Sequence, residues 1–148
     1  MVTTVGTEST LSDLVQDLVQ LDKAAIEAYG AAIERLESVE YKQQLSRFRQ
    51  DHEEHTRTLG AWLHEHRQET PASGGMKQTL ASGKVALAGL MGDKQILEAM
   101  KTNEDDTNTA YERAVNHREA DGVRATFEKN LGDERRHRSW MESVIATL

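Results

Sequence analysis

Apolar residues recur at steps of three and four along four stretches of the chain. Leu11, Leu14, Leu18, Ala25, Tyr29, Ala32 and Leu36 form the first stripe. Leu45, Phe48, Leu59, Trp62 and Leu63 form the second, and Ile96, Leu97, Met100, Tyr111, Ala114 and Val115 the third. Val123, Phe127, Met141, Val144 and Leu148 form the fourth. Such steps keep side chains on one side of a 3.6-residue helix, so each stripe predicts an amphipathic helix. STLSDL, at 9–14, offers Ser or Thr caps and an acidic first turn for a helix start. ESVEYK and HREADG read as turns. Between the second and third stripes, RQETPASGGMK breaks the pattern with the only proline, Pro71, and a glycine pair. QTLASGKVALAGLMG then predicts a short helix of small residues. No strand signal competes. The expected architecture is an all-α four-helix bundle over 11–148, two hairpins joined by a long crossover containing a short helix. Residues 1–10 are expected to form a flexible N-terminal tail.

Composition agrees and narrows the function classes. The chain has 148 residues, enough for one sizeable core. Its formal net charge of -7 argues against nucleic acid, which binds basic surfaces. Cysteine is absent, which removes disulfides, thiolate zinc sites and cysteine nucleophiles. No apolar run is long enough to span a membrane. MVTTVGTEST lacks the basic and apolar regions of a signal peptide. A soluble, cytoplasmic protein is expected.

Polar residues interrupt every stripe. Asp22 sits on the first, His52 and His55 on the second, Glu104 on the third, and Glu134 and His137 on the fourth. An offset of 82 superposes Asp22 on Glu104, Tyr29 on Tyr111, His52 on Glu134, His55 on His137 and Leu59 on Met141. That is the mark of an internal repeat of two helical hairpins. Because each turn lies near the middle of its pair, the six interrupting residues should meet at mid-bundle. Unpartnered burial of such groups is very unfavourable. Three carboxylates together would also raise one another's pKa values. A divalent metal pair removes both problems, and a carboxylate–imidazole set without thiolate suits Fe, Mn or Zn. The alternative from the same residues is a metal-free buried network of His–carboxylate pairs.

ILEAMKTNEDDTNTAYERAV, GDERRHRSWM and the Gly-rich crossover resemble the ferritin-like superfamily, and within it small bacterial bundles of unassigned function, some associated with stress. The resemblance covers roughly residues 11–147. It implies one carboxylate from each of two helices and a Glu-x-x-His from each of the other two. Glu104, Glu134 and His137 match that pattern, and Asp22 stands where a glutamate is usual. His52 departs from it: the family would place a glutamate there, often bridging both metals. Asp22, His52 and His55 by themselves resemble a two-His, one-carboxylate set. Tyr29 and Tyr111 have two open roles, as second-shell hydrogen-bond partners of ligands or as core aromatics.

The implied function is a metal-binding protein with a di-iron or related dinuclear site, handling iron, oxygen or peroxide in a stress response. Two iron ions are the expected cofactor, with zinc or manganese as substitutes. The rival is a non-catalytic bundle, held by structural zinc or a buried polar network, that acts as a stress or interaction protein. Expected partners are metal ions and a second copy of the chain, with no nucleic acid and no membrane. Storage ferritins add a short fifth helix, so a dimer or monomer is expected here and not a shell. His64, His66 and His117 are expected on solvated surface. Apart from Glu134 and His137, DERRHR reads as a surface ladder of ion pairs, and Trp62 and Trp140 as core or interface. GLMGD lacks the Lys-Ser/Thr of a phosphate loop.

Overall fold

The structure is a computed structural model that describes residues 2–70, 87 and 89–148. Four helices account for its regular structure: α1 (Leu11–Arg35), α2 (Val39–Glu65), α3 (Asp93–Val115) and α4 (Arg124–Ile145). The described residues contain no strand. Thr10 caps α1 by accepting from the Asp13 N–H, and Ser38 caps α2 by accepting from the Tyr41 N–H. The α1–α2 turn is therefore only three residues, shorter than ESVEYK, because the Ser38 cap starts α2 at once. The Asp93 carboxylate accepts from the Glu37 and Ser38 N–H groups at 2.8 and 3.1 Å, tying this turn to the start of α3.

Short turns make α1–α2 and α3–α4 antiparallel hairpins. The hairpins pack together through α1 against α3, and more loosely through α2 against α4. Nearly all the stripe residues are buried as the spacing predicts. Leu11, Trp62, Val115 and Val144 are half-buried, and Leu148 is exposed because α4 ends at Ile145. The expected short helix within 78–92 falls mostly on residues outside those described. Leu87, described together with residues 89–92 of that span, is fully buried. No described helix is long and apolar enough to cross a membrane.

The core comes in two parts. One contains Leu14, Leu18, Leu63, Ala114 and Phe127. The other contains Ala32, Leu45, Ile96, Met100 and Met141. Each large aliphatic or aromatic side chain so buried contributes about 1.5–3 kcal/mol. Between the two parts lies a layer of polar side chains.

Within the flexible tail expected over 1–10, Thr3 and Val5 are buried against the bundle, while Val2 is 67% exposed. Val5 is 3% exposed and joins the first core cluster. Arg113 donates to the Thr3 and Val5 carbonyls, at 2.7 and 3.2 Å, and the Leu11 N–H donates to Glu119. His117 Nε2 donates to the Glu8 carbonyl at 2.9 Å. His117 is consequently buried, at 8% exposure, and not on the solvated surface expected of it. The docked strap supplies both its cover and its partner. His64 and His66 are exposed as expected, and His66 stacks on Trp62.

Gly6 is the strap's close approach. Its φ of 105° disfavours L side chains, and an added Cβ would lie 2.3 Å from Arg113 Cβ. Gly6→Ala is expected to release the strap, at about 1–3 kcal/mol. Amide exchange should lose protection over residues 3–8 while the helices keep theirs. Unchanged protection there would contradict the docking.

Candidate metal centre

The six interrupting residues meet. Asp22 on α1, His52 and His55 on α2, Glu104 on α3, and Glu134 and His137 on α4 are all 0–1% exposed. Their donor atoms fall into two overlapping groups, each within 4.8 Å: Asp22, His52, His55 and Glu134, then His52, Glu104, Glu134 and His137. His52 and Glu134 belong to both.

In the first group His52 Nδ1 donates to Asp22 Oδ1 at 2.7 Å, and His55 Nδ1 lies 3.2 Å from the same oxygen. Glu134 Oε1 is 3.5 Å from His52 Nδ1 and 3.4 Å from His55 Nδ1. In the second group Glu104 Oε1 is 3.4 Å from His52 Nε2 and 3.5 Å from His137 Nδ1. Glu134 Oε2 is 3.5 Å from His137 Nδ1.

An outer set of groups orients these. Tyr29 donates to Glu104 Oε1, and Tyr111 donates to Asp22 Oδ2, each across the α1–α3 contact. Both tyrosines are fully buried, so they are core aromatics and carboxylate partners together. Across the α2–α4 seam, His55 Nε2 donates to Asp133 Oδ2 at 2.9 Å and His137 Nε2 to Asp51 Oδ2 at 2.8 Å. Arg136 reaches Asp51 and Asp133 at 2.9 and 3.0 Å. Asp51 and Asp133 are 30% and 17% exposed in their side chains, so they link the buried layer to solvent. Thr107 Oγ1 lies 3.2 Å from Glu104 Oε2 and 3.1 Å from Glu134 Oε2, and Asn108 donates to the Glu104 and Glu134 carbonyls.

Asp133 stands in the surface ladder of ion pairs expected of DERRHR, with Lys129 and Arg136, and reaches His55 besides, while Asp51, Thr107 and Asn108 join the site without being candidates from the stripes. The offset of 82 that aligns the inner residues also aligns Asp51 with Asp133, a signal that was available. Thr107 and Asn108 carry no such signal, because Ala25 and Ile26 occupy the equivalent places.

Electrostatics follow from this packing. Burial pulls the His55 ring pKa down, but Asp22 and Asp133 push it up to about 12. His137 rises to about 11 against the same burial, through Asp51, Glu104 and Glu134. His52 rises to about 9, through Glu134, Asp22 and Glu104. Burial pushes Asp22 up, but His55 and His52 outweigh it and hold the carboxyl at about 2. Glu104 is likewise held well below its usual range, burial being overcome by His137 and His52. The three rings and the Asp22 and Glu104 carboxylates thus favour one another's charged forms in the metal-free protein.

The residues also fit a metal. Glu134 Oε1 and His137 Nδ1 are buried with no hydrogen-bond partner, an expensive state that coordination would relieve. Donor atoms about 3.4 Å apart are spaced like the corners of a tetrahedron with arms of about 2.1 Å, the length of metal–nitrogen and metal–oxygen bonds. Asp51 and Asp133 hold the outer nitrogens of two histidines, the usual second-shell role of a carboxylate.

Fold and cluster together define an all-helical four-helix bundle whose buried His, Asp and Glu groups could hold a metal ion. A family model described as a domain of unknown function, DUF2383, matches residues 10–117, and the chain belongs to that family. Among solved structures it is similar to the crystal structure of a conserved hypothetical protein, Rv2844, from Mycobacterium tuberculosis. The TM-score is 0.75 at 15% identity, covering 90% of this chain and 89% of that one, a likeness of fold. No curated protein matches the chain.

Two outcomes follow for the site. A ring pKa raised above the ordinary 6.5 stabilises the fold fully below that value and loses its contribution as pH rises through the folded value. For His52 that loss runs from about 6.5 to about 9. Asp22 behaves oppositely, its contribution disappearing as pH falls from 3.8 through about 2. The melting temperature of chelator-treated protein should therefore fall between pH 6.5 and 9, while the increment added by metal should grow as protons leave the rings. A flat profile in chelator would contradict the ion network. Separately, Asp51→Asn and Asp133→Asn should each weaken metal binding by about 10–100-fold in chelator competition. Unchanged affinity in both would remove them from the site.

Proposed function

We propose that this chain is a metal-binding protein of ferritin-like type, holding a pair of divalent first-row ions at mid-bundle. The observation that carries the reading is the pair of overlapping donor groups around Asp22, His52, His55, Glu104, Glu134 and His137, with two donor atoms left unpartnered. Iron is the first choice of metal, with zinc and manganese as rivals, since imidazole and carboxylate serve all three. Bound iron would supply one-electron chemistry toward oxygen or peroxide, in keeping with a stress role.

The chain's own residues do the rest. Asp22 and Glu104 enter from α1 and α3, each oriented by the opposite tyrosine. Asp51 and Asp133 hold the outer nitrogens of His137 and His55, leaving both Nδ1 atoms aimed inward. The two core clusters on either side exclude water. A low-dielectric surround strengthens every charge interaction inside.

A second reading has support of its own. Apart from Glu134 Oε1 and His137 Nδ1, the ionisable atoms of the layer satisfy one another without a metal. In that reading the layer is structural and the protein works through its surface.

Elemental analysis after reconstitution with Fe(II), Mn(II) or Zn(II), on the wild type, Glu134→Ala and His137→Ala, separates the two. Near two equivalents in the wild type, falling in both variants, is the expected result. No metal above background in the wild type would leave only the structural layer.

A further inference from the structure

His52 presents its two ring nitrogens to different halves of the cluster. Nδ1 faces Asp22 Oδ1 at 2.7 Å and Glu134 Oε1 at 3.5 Å, inside the first donor group. Nε2 faces Glu104 Oε1 at 3.4 Å, inside the second. Glu134 divides in the same way: Oε1 lies beside His52 and His55, and Oε2 beside His137. The ring is fully buried, with the Tyr29 and His137 ring centroids each 5.3 Å away.

The geometry points to His52 as a bridging ligand that binds one metal ion through Nδ1 and the other through Nε2. This rests on the metal-pair reading above and deepens it. Two features of the cluster favour the bridge. Sharing His52 and Glu134 gives each half two nitrogens and two carboxylate oxygens: Asp22, Glu134, His52 and His55 on one side, Glu104, Glu134, His52 and His137 on the other. A ring bound at both nitrogens has also given its last ring proton to solvent and carries a negative charge. With Asp22, Glu104 and Glu134 it then matches the formal charge of two divalent ions, so the buried layer stays neutral on loading.

The bridge has a consequence for the chemistry. An imidazole ring with a metal bond of about 2.0–2.1 Å on each side holds its ions roughly 6 Å apart. Pairs bridged by a single oxygen atom sit closer, at about 3.5–4 Å. A single oxygen atom cannot span the longer gap.

The test is the crystal structure of the full chain loaded with Zn(II), the ions located by anomalous scattering, beside elemental analysis of the same sample. Two ions roughly 6 Å apart with the His52 ring between them is the expected result. His52→Glu should keep two ions but shorten their separation to about 3.5–4 Å. Two wild-type ions at that shorter distance, or His52 bonded to one ion, would overturn the bridge and leave the metal pair standing. One ion alone would also overturn it. No zinc at all would overturn the metal-pair reading as well. Should His52→Glu fail to fold, as circular dichroism would show, the wild-type separation still decides.

Discussion

The rest of the molecule is arranged around one constraint, the mutual pairing of carboxylates and imidazoles in a buried polar layer. Three carboxylates and three imidazoles lie in the middle of the bundle at 0–1% exposure. Removing any one partner would strand an unpaired buried charge, which is far more destabilising than the pair is stabilising. All four helices contribute to the layer, so it fixes the register of each against the others. The α2–α4 seam, the loosest of the packed helix pairs, is closed by His55–Asp133, His137–Asp51 and Arg136. Polar specificity replaces apolar contact on that side. The apolar clusters above and below then supply the favourable burial that offsets ordering the chain.

The helices were legible because burial is periodic. Leu14, Leu18, Phe48, Leu97, Met100 and Phe127 lie where a 3.6-residue period puts them. The inner site was legible for the same reason in reverse, since a charged residue on an apolar stripe must be buried with a partner. Asp51 and Asp133 escaped because they stand beside the stripe and reach across to another helix, a contact no single-helix pattern encodes. The docked strap escaped because its anchors are backbone carbonyls. Arg113 and His117 bind the carbonyls of Thr3, Val5 and Glu8, which carry no side-chain signature. Val5 alone offers an apolar cue, too little for a pattern.

The internal repeat shows in the contacts as well as in the spacing. Tyr29–Glu104 and Tyr111–Asp22 exchange under the 82-residue offset, and so do His55–Asp133 and His137–Asp51. The exchange fails at a few places. Phe48, which stacks on His137 at 4.3 Å, corresponds to Asn130, which donates to the Tyr111 hydroxyl. Ala25 and Ile26 correspond to Thr107 and Asn108, which hold Glu104 and Glu134. Hydrogen-bond donors therefore concentrate on the half built from α3 and α4. Its two carboxylates share the Thr107 hydroxyl, a donor for which the Asp22 half has no counterpart.

The central break in symmetry is His52 against Glu134. With glutamate at both positions each half would offer one nitrogen and three oxygens, a hard donor set. With histidine at one, and both residues facing both halves, each half offers two of each. Nitrogen-richer surroundings shift preference from Mg or Mn toward Zn, Fe or Cu. They also change the metal-free state. A second carboxylate at position 52 would add a negative charge to a layer that is now balanced, and remove a positive one. The raised His52 pKa shows the size of that interaction, since Glu134, Asp22 and Glu104 lift it to about 9 against full burial. One substitution thus accounts both for a metal-free bundle that is neutral at its centre and for a donor set unlike that of an all-carboxylate bridge.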